Sequence, residues 1–426
     1  MSAISAVGDD LRSSLLPEGK GYFSLLGQYS SFISAFNILQ VCLTWYVFTS
    51  THSAKDVGLI AIIETITVMV VSLPTGAYVD RVNKGMVLVM AGIVGVSVSV
   101  VLTLLGTSTA FRIIPVLILV VFWGASREFG RSAALSAIPE IVSEGSLSSF
   151  NGANRASSNT LGAISNALAG ALIAAFGVVS GFIAGIGLYV ISALFAALGI
   201  APVLSGKGKR VKSEKSMARE LGEAFRWLYG KKGFFLLTIS ATFFNFFLVM
   251  IEAYLVIFVY SGLKSSSLIF GGLLGAFSFG DVCGSIFSGK YNLLRHTGKI
   301  NVVLYGGVPG ACILLTGILR LPIPSLFLFF IWGFAIGIAI NLWLTSAHNL
   351  VPAEMRGRYF ALDGLLASIS PVSIAVGAIL ISRLGIIQTF LIAGVMLLVF
   401  SFVFAFSRSL WHLDGSKISP VDEIEL

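Results

Sequence analysis

From Met86 to Gly106 the chain reads MVLVMAGIVGVSVSVVLTLLG, 21 residues without one ionisable side chain. A bilayer's hydrocarbon core is about 30 Å thick, and a helix rising about 1.5 Å per residue crosses it in roughly 20 residues. Backbone polar groups in lipid find no water, so a span is either a helix or a strand of a closed barrel. This run is apolar throughout rather than alternating, which selects the helix. Similar stretches recur along all 426 residues, of which 56% are hydrophobic and 11% charged, with a mean hydropathy of +0.94. Soluble domains carry about a quarter charged residues. Lipid has to cover this surface.

Twelve such segments lie near 22–49, 57–79, 86–106, 113–135, 152–176, 178–203, 234–260, 267–289, 299–319, 324–347, 359–382 and 384–407. The expected fold is an all-α polytopic membrane protein with twelve transmembrane helices in two six-helix halves. The expected organisation is an N-terminal tail (1–20), a first half (21–203), a basic linker (204–232), a second half (233–408) and a C-terminal tail (409–426). The tail MSAISAVGDDLRSSLLPEGK lacks the pattern of a removable signal, so the first span is expected to direct its own insertion. With the N-terminus placed in the cytoplasm, the outer loops hold single basic residues (Lys55, Arg112, Lys264, Arg320, Arg383), the loop between segments five and six excepted. The inner side holds Arg81, Lys84, the run from Lys207 to Lys232, Lys290, Arg295, Lys299, Arg356 and Arg358. This asymmetry predicts that both tails are cytoplasmic, in a plasma membrane.

The linker GKGKRVKSEKSMARELGEAFRWLYGKK places Leu221, Phe225 and Leu228 at helical spacing, which predicts an amphipathic helix on the inner membrane face. The halves echo one another. SAIPEIVSEG follows segment four, SAHNLVPAEMRGR follows segment ten, and Asn37 in segment one matches Asn245 in segment seven. Parallel repeats of this kind are a transporter plan, with substrate bound between the halves.

The formal charge of +8 sits mainly in loops, so topology rather than nucleic-acid binding accounts for it. Cys42, Cys283 and Cys312 are odd in number, lie within apolar runs and lack CxxC spacing; they read as small core residues, not as a disulfide or zinc framework. The four histidines are scattered, and no catalytic or metal-ligand cluster gathers near either membrane face. No Walker loop is present. Enzymatic activity, a bound cofactor and a metal are not expected; a single chain is the expected working unit.

Between segments two and three lies GAYVDRVNKG (76–85), three charges in ten residues. Gly76 allows close helix approach, Asp80 suits the positive end of a neighbouring helix, and Arg81 and Lys84 suit the anionic inner surface. Together they suggest a latch on the inner side; the plainer reading is a topogenic turn. The stretch resembles the loop two/three signature of the major facilitator superfamily, G-x-x-x-D-R-x-x-[RK]-[RK], through Gly76, Asp80, Arg81 and Lys84, with Gly85 standing where the last basic residue belongs. VPAEMRGRY (351–359) resembles that superfamily's loop ten/eleven pattern, and the segment from Leu25 is similar to its macrolide-efflux and siderophore-export branch. The resemblance implies alternating access and export driven by a proton gradient. WGASREFGR (123–131) departs from the fourth-span signature in lacking its Gln, and NTLGAISNALAGAL (159–172) lacks the proline of the antiporter signature.

Ionisable groups inside the hydrocarbon are costly and face a cavity or a partner. Glu64, Glu252, Asp281, Arg127 and Glu128 are therefore candidate coupling sites, with static interhelical ion pairs as the alternative role. Helical rise places Glu64 in the outer half of its span and Arg127 and Glu128 in the inner half. Arg127 and Arg131, four apart, repel and need an acidic neighbour: Glu128, Asp281 or Asp80. Gly76, Asp80, Arg81, Lys84, Arg131 and Asp363 form the candidate inner gate. Gly271, Gly275, Gly280, Gly284 and Gly289, with Ala163, Ala167, Ala171 and Ala174, read as small-residue packing faces.

Aromatic and amide residues supply the expected substrate cavity: Gln28, Tyr29, Asn37 and Gln40 on segment one, with Trp45 there as cavity or interface anchor. Asn245 and Tyr254 belong to segment seven, and Trp332, Asn341 and Trp343 to segment ten. Such a lining suits an amphipathic organic solute better than a bare ion. The expected function is proton-coupled export of a hydrophobic or amphipathic small molecule. A facilitator or importer of a specific nutrient and a non-transporting membrane receptor are the alternatives.

Overall fold

The computed structural model describes residues 17–416, apart from 80, 109–110, 143–146, 205–216 and 292. The chain divides into two compact units, Met1–Lys212 and Ser213–Leu426. The first holds α1 (Pro17–Thr51), α2 (Ala54–Val79), α3 (Lys84–Thr107), α4 (Ile113–Ile141), α5 (Leu147–Phe176) and α6 (Val178–Ile200). The second holds α7 (Met217–Gly230), α8 (Lys232–Ala253), α9 (Ser267–Lys290), α10 (Leu294–Leu319), α11 (Pro322–Leu350), α12 (Arg356–Leu384) and α13 (Ile386–Ala405). Eleven of the described helices are long and apolar enough to cross a membrane. Helix α2, 26 residues long, occupies the second expected segment, so every one of the twelve segments is helical.

Several helices outrun their apolar stretch. Helix α4 continues to Ile141, past the expected end near 135, because backbone hydrogen bonding does not stop where side chains turn polar. Helix α12 breaks between Ala367 and Ser370, just before Pro371, which has no N–H to continue the ladder. Helix α8 ends at Tyr254 (φ −107°, ψ 11°) and passes through a short turn into a π-turn over Phe258–Gly262.

Close packing rests on small residues, as hydrocarbon-facing helices require. On α3, Gly92 and Gly95 lie against Ala193 and the Tyr189 ring of α6. In the second unit α9 and α11 cross backbone to backbone. A methyl group on Gly280 or Gly284 would overlap the main chain of Phe330 or Phe334, and one on Gly333 or Gly337 that of Phe277 or Asp281. Of the expected glycine face, Gly271 and Gly275 are also buried, but Gly289 has open space around it. On α5 the expected alanine face holds in part: Ala163 is buried and Ala171 half-buried, but Ala167 and Ala174 are exposed, and Gly162, Ser165, Ala169, Gly170 and Ile173 complete the buried stripe. The three cysteines are free, with Cys42 and Cys312 buried.

The linker helix α7 is more than a surface float. Ala224 and Leu228 are buried with Phe234, Leu237, Val302, Tyr359 and Leu410, while Phe225 is exposed. Its inward stripe thus runs through Ala224 rather than Phe225, and Leu221 lies outside the described side chains. Arg358 Nη1 donates to Glu223 Oε2 at 2.7 Å and pins α7 to the start of α12.

Candidate functional site

In the first unit, three helices converge on one buried carboxylate. Phe36 and Gln40, four apart on α1, share a helix face. Glu64 of α2 is only 8% exposed. It accepts a hydrogen bond from Gln40 Nε2 at 3.2 Å and another from Arg127 Nη1 of α4, also at 3.2 Å. The Arg127 guanidinium lies 4.2 Å from the centroid of the Phe36 ring, and Phe36 stacks on Trp123, centroids 4.5 Å apart. Trp123 Nε1 then donates to the Tyr189 hydroxyl of α6 at 2.8 Å. Gln40 Oε1 is buried and has no hydrogen-bond partner among the described residues. A carboxylate, a guanidinium, an orphaned amide oxygen and an aromatic stack thus meet in one patch.

Helical rise placed Glu64 and Arg127 at different depths along their helices, and the ion pair spans that difference. Adjacent helices do not start level, and a guanidinium reaches far from its backbone. The repulsion expected between Arg127 and Arg131 is resolved with separate partners. Arg131 forms a two-pronged pair with Glu128, at 2.6 Å and 3.0 Å, three residues back on the same helix. Glu128 is buried, and the Arg131 side chain is half exposed.

Of the expected inner gate, Asp80 lies outside the described residues, Gly76 falls in the last turn of α2, and Arg81 is exposed. Lys84 is buried. Its Nζ donates to the Ser136 carbonyl at 3.1 Å and pairs with Glu140, tying the start of α3 to the end of α4. That contact explains why a glutamate sits in SAIPEIVSEG. Gly85 has a physical reason as well: a Cβ there would overlap the backbone of Ala201, with the nitrogen 2.6 Å away. The basic residue of the superfamily pattern has no room. In the second unit, Arg356 of VPAEMRGRY donates to the carbonyls of Val351 (3.2 Å) and His348 (2.7 Å), closing the C-terminal end of α11.

The second unit carries a cavity of about 210 Å³. Helix α8 contributes Thr242 and Asn245, α10 Asn301 and Tyr305, α11 Trp343, and α12 Asp363; alanines and Ile340 complete the wall. Asn301 and Tyr305 went unnoticed in the sequence, although polar groups four apart in an otherwise apolar span were the available signal.

Most of the other expected cavity residues are engaged in packing or hydrogen bonds within their own unit. Gln28 is buried and donates to Ser192 at 3.2 Å, locking α1 to α6. The Tyr254 hydroxyl, also buried, donates to the Ile374 carbonyl at 2.7 Å. Trp332 is 5% exposed, packed edge-on against Phe277 and Phe329. Asn341 Nδ2 donates to the Ser285 carbonyl at 3.0 Å, a brace between α11 and α9. Tyr29 packs against the first unit's core, and Asn37 faces Gly162 of α5. Trp45 is half-buried near the end of α1. Asp281 sits half-buried where α9 crosses α11, and Glu252, in the last turn of α8, is exposed.

A helical bundle of long apolar spans, with a buried ion pair in one unit and a cavity with polar groups in the other, is the architecture of a multi-pass membrane protein. The chain belongs to the Major Facilitator Superfamily, whose pattern it matches over residues 25–375. It is similar to Macrolide efflux protein A of Streptococcus pyogenes, with 23% identity over 403 residues covering 93% of this chain and 97% of that one. Its fold is similar to that of a bacterial homolog of the human lysosomal transporter Spinster (TM-score 0.70, 15% identity, 95% of this chain and 99% of that one). It is also similar to that of the nucleoside transporter NupG (TM-score 0.66, 14% identity, 90% and 98%).

Proposed function

We propose that this protein is a secondary active transporter that works by alternating access and exports a hydrophobic or amphipathic small molecule in exchange for protons. The observation that carries the reading is Glu64, a buried carboxylate held by Arg127 and Gln40 beside an aromatic stack. Protonating Glu64 cancels its attraction for Arg127 and frees the guanidinium; losing the proton restores the pair. A charge pair that switches with one proton is what coupling needs, since neutral and ionised forms favour different helix contacts. In this reading Arg127 is the counter-charge. Gly76, Asp80, Arg81, Lys84 and Arg131 belong to the inner gate, and a single chain works in the plasma membrane with both tails in the cytoplasm. The similarity to an efflux protein across nearly the whole chain supports the outward direction.

Flux in inverted membrane vesicles tests it. Proton-dependent accumulation of an amphipathic dye is the expected result, abolished by Glu64→Gln while dye binding persists. Full proton-driven uptake in Glu64→Gln removes the coupling role. Equilibration without any gradient points to a facilitator, and binding without flux to a receptor.

A further inference from the structure

We propose that the cavity around Asp363 in the second unit is a binding site for an organic ammonium group, the charged head of an amphipathic amine. Among the described residues the Asp363 carboxylate has no side-chain hydrogen bond or ion pair, whereas Glu64, Glu128 and Glu140 each meet a cation. The nearest basic residues along α12 are committed elsewhere, Arg356 to carbonyls at the end of α11 and Arg358 to Glu223. A carboxylate held in a partly apolar wall gains strongly from an incoming cation, because no described basic side chain competes for it.

The remaining lining selects the kind of cation. Trp343 and Tyr305 place aromatic rings in the wall, and Thr242 and Asn245 offer polar atoms to a donating N–H. A bare metal ion would use only the oxygens of this wall, whereas an ammonium with an apolar body also uses the rings of Trp343 and Tyr305 and the alanines beside them. A volume of about 210 Å³ admits one ring with a short amine tail.

Backbone irregularities flank the cavity. Tyr305 lies within a π-turn of α10, Val302–Gly307, and Asn301 directly precedes it. Helix α12 breaks at Ser368–Ile369, little more than a turn beyond Asp363. Such π-turns and interrupted spans collect at binding sites, where they turn backbone and side chains toward a guest.

The site deepens the transport reading, on which it rests only for the claim that the guest is cargo. Calorimetric titration of the purified full chain in detergent tests it with phenethylammonium and its uncharged analogue 2-phenylethanol at neutral pH. The ammonium is expected to bind about tenfold more tightly than the alcohol. Asp363→Asn is expected to bring the ammonium down to the alcohol's affinity and to leave the alcohol unchanged. Equal binding of the two probes by the native chain, saturable binding of neither, or a charge preference that survives Asp363→Asn overturns the site. So does sodium binding that displaces the ammonium. The native comparison needs no variant to fold. Charge-selective binding without vesicle flux keeps the site and overturns the transport reading; proton-driven flux without charge-selective binding does the reverse.

Discussion

The Glu64–Arg127 pair invites a double-mutant cycle, since each partner is expected to cost more to lose alone than with the other. At 3.2 Å the attraction of unit charges is about 5 kcal/mol at an effective dielectric of 20 and about 1 kcal/mol in bulk water. The Glu64 side chain is 10% exposed and that of Arg127 38%, so the pair sits between these limits, at about 2–3 kcal/mol. Arg127→Gln strands a buried carboxylate and is expected to destabilise by about 3 kcal/mol. Glu64→Gln preserves shape and strands a guanidinium that water partly reaches, costing about 2 kcal/mol. The double variant, with no charge left, is expected to lose about 2–3 kcal/mol rather than the sum. Reversible unfolding in mixed micelles, followed by tryptophan fluorescence, measures all four corners. Losses that add to within about 0.5 kcal/mol would show that the two groups do not interact, and would refute the pairing.

Three further substitutions probe the packing. Gly284→Leu would drive a side chain into the Phe334 backbone and force α9 from α11; a loss of about 3 kcal/mol or failure to assemble is expected, whereas Gly289→Leu, in open space, should melt like the native chain. Gly85→Arg restores the residue of the superfamily pattern, yet it is expected to lower the melting temperature through about 1–3 kcal/mol of overpacking against Ala201. A stabilised Gly85→Arg chain would contradict that geometry.

Much of this was legible from residues alone. The twelve helical segments follow from apolar length, because a chain in lipid must satisfy its backbone internally. Glu64 and Arg127 stood out because a charge in hydrocarbon needs a reason. The glycine face of span eight showed in its small residues, and Gly280 and Gly284 do form the crossing with α11. The aromatic and amide residues were harder. Gln28, Tyr254, Trp332 and Asn341 looked like cavity lining and proved to hold helices together; Asn301 and Tyr305 looked unremarkable and line the cavity.

The amino-acid order by itself determined where the long apolar helices run and singled out Glu64 among the charges within them; each depends only on composition within one helix. Tertiary structure alone decided that Arg127 meets Glu64 while Arg131 turns back to Glu128, that Gly85 abuts Ala201, and that Asp363 opens onto a cavity. The physical reason is rotation. A helix apolar all round carries no stripe to say which side faces inward, so its orientation about its own axis is set by its neighbours.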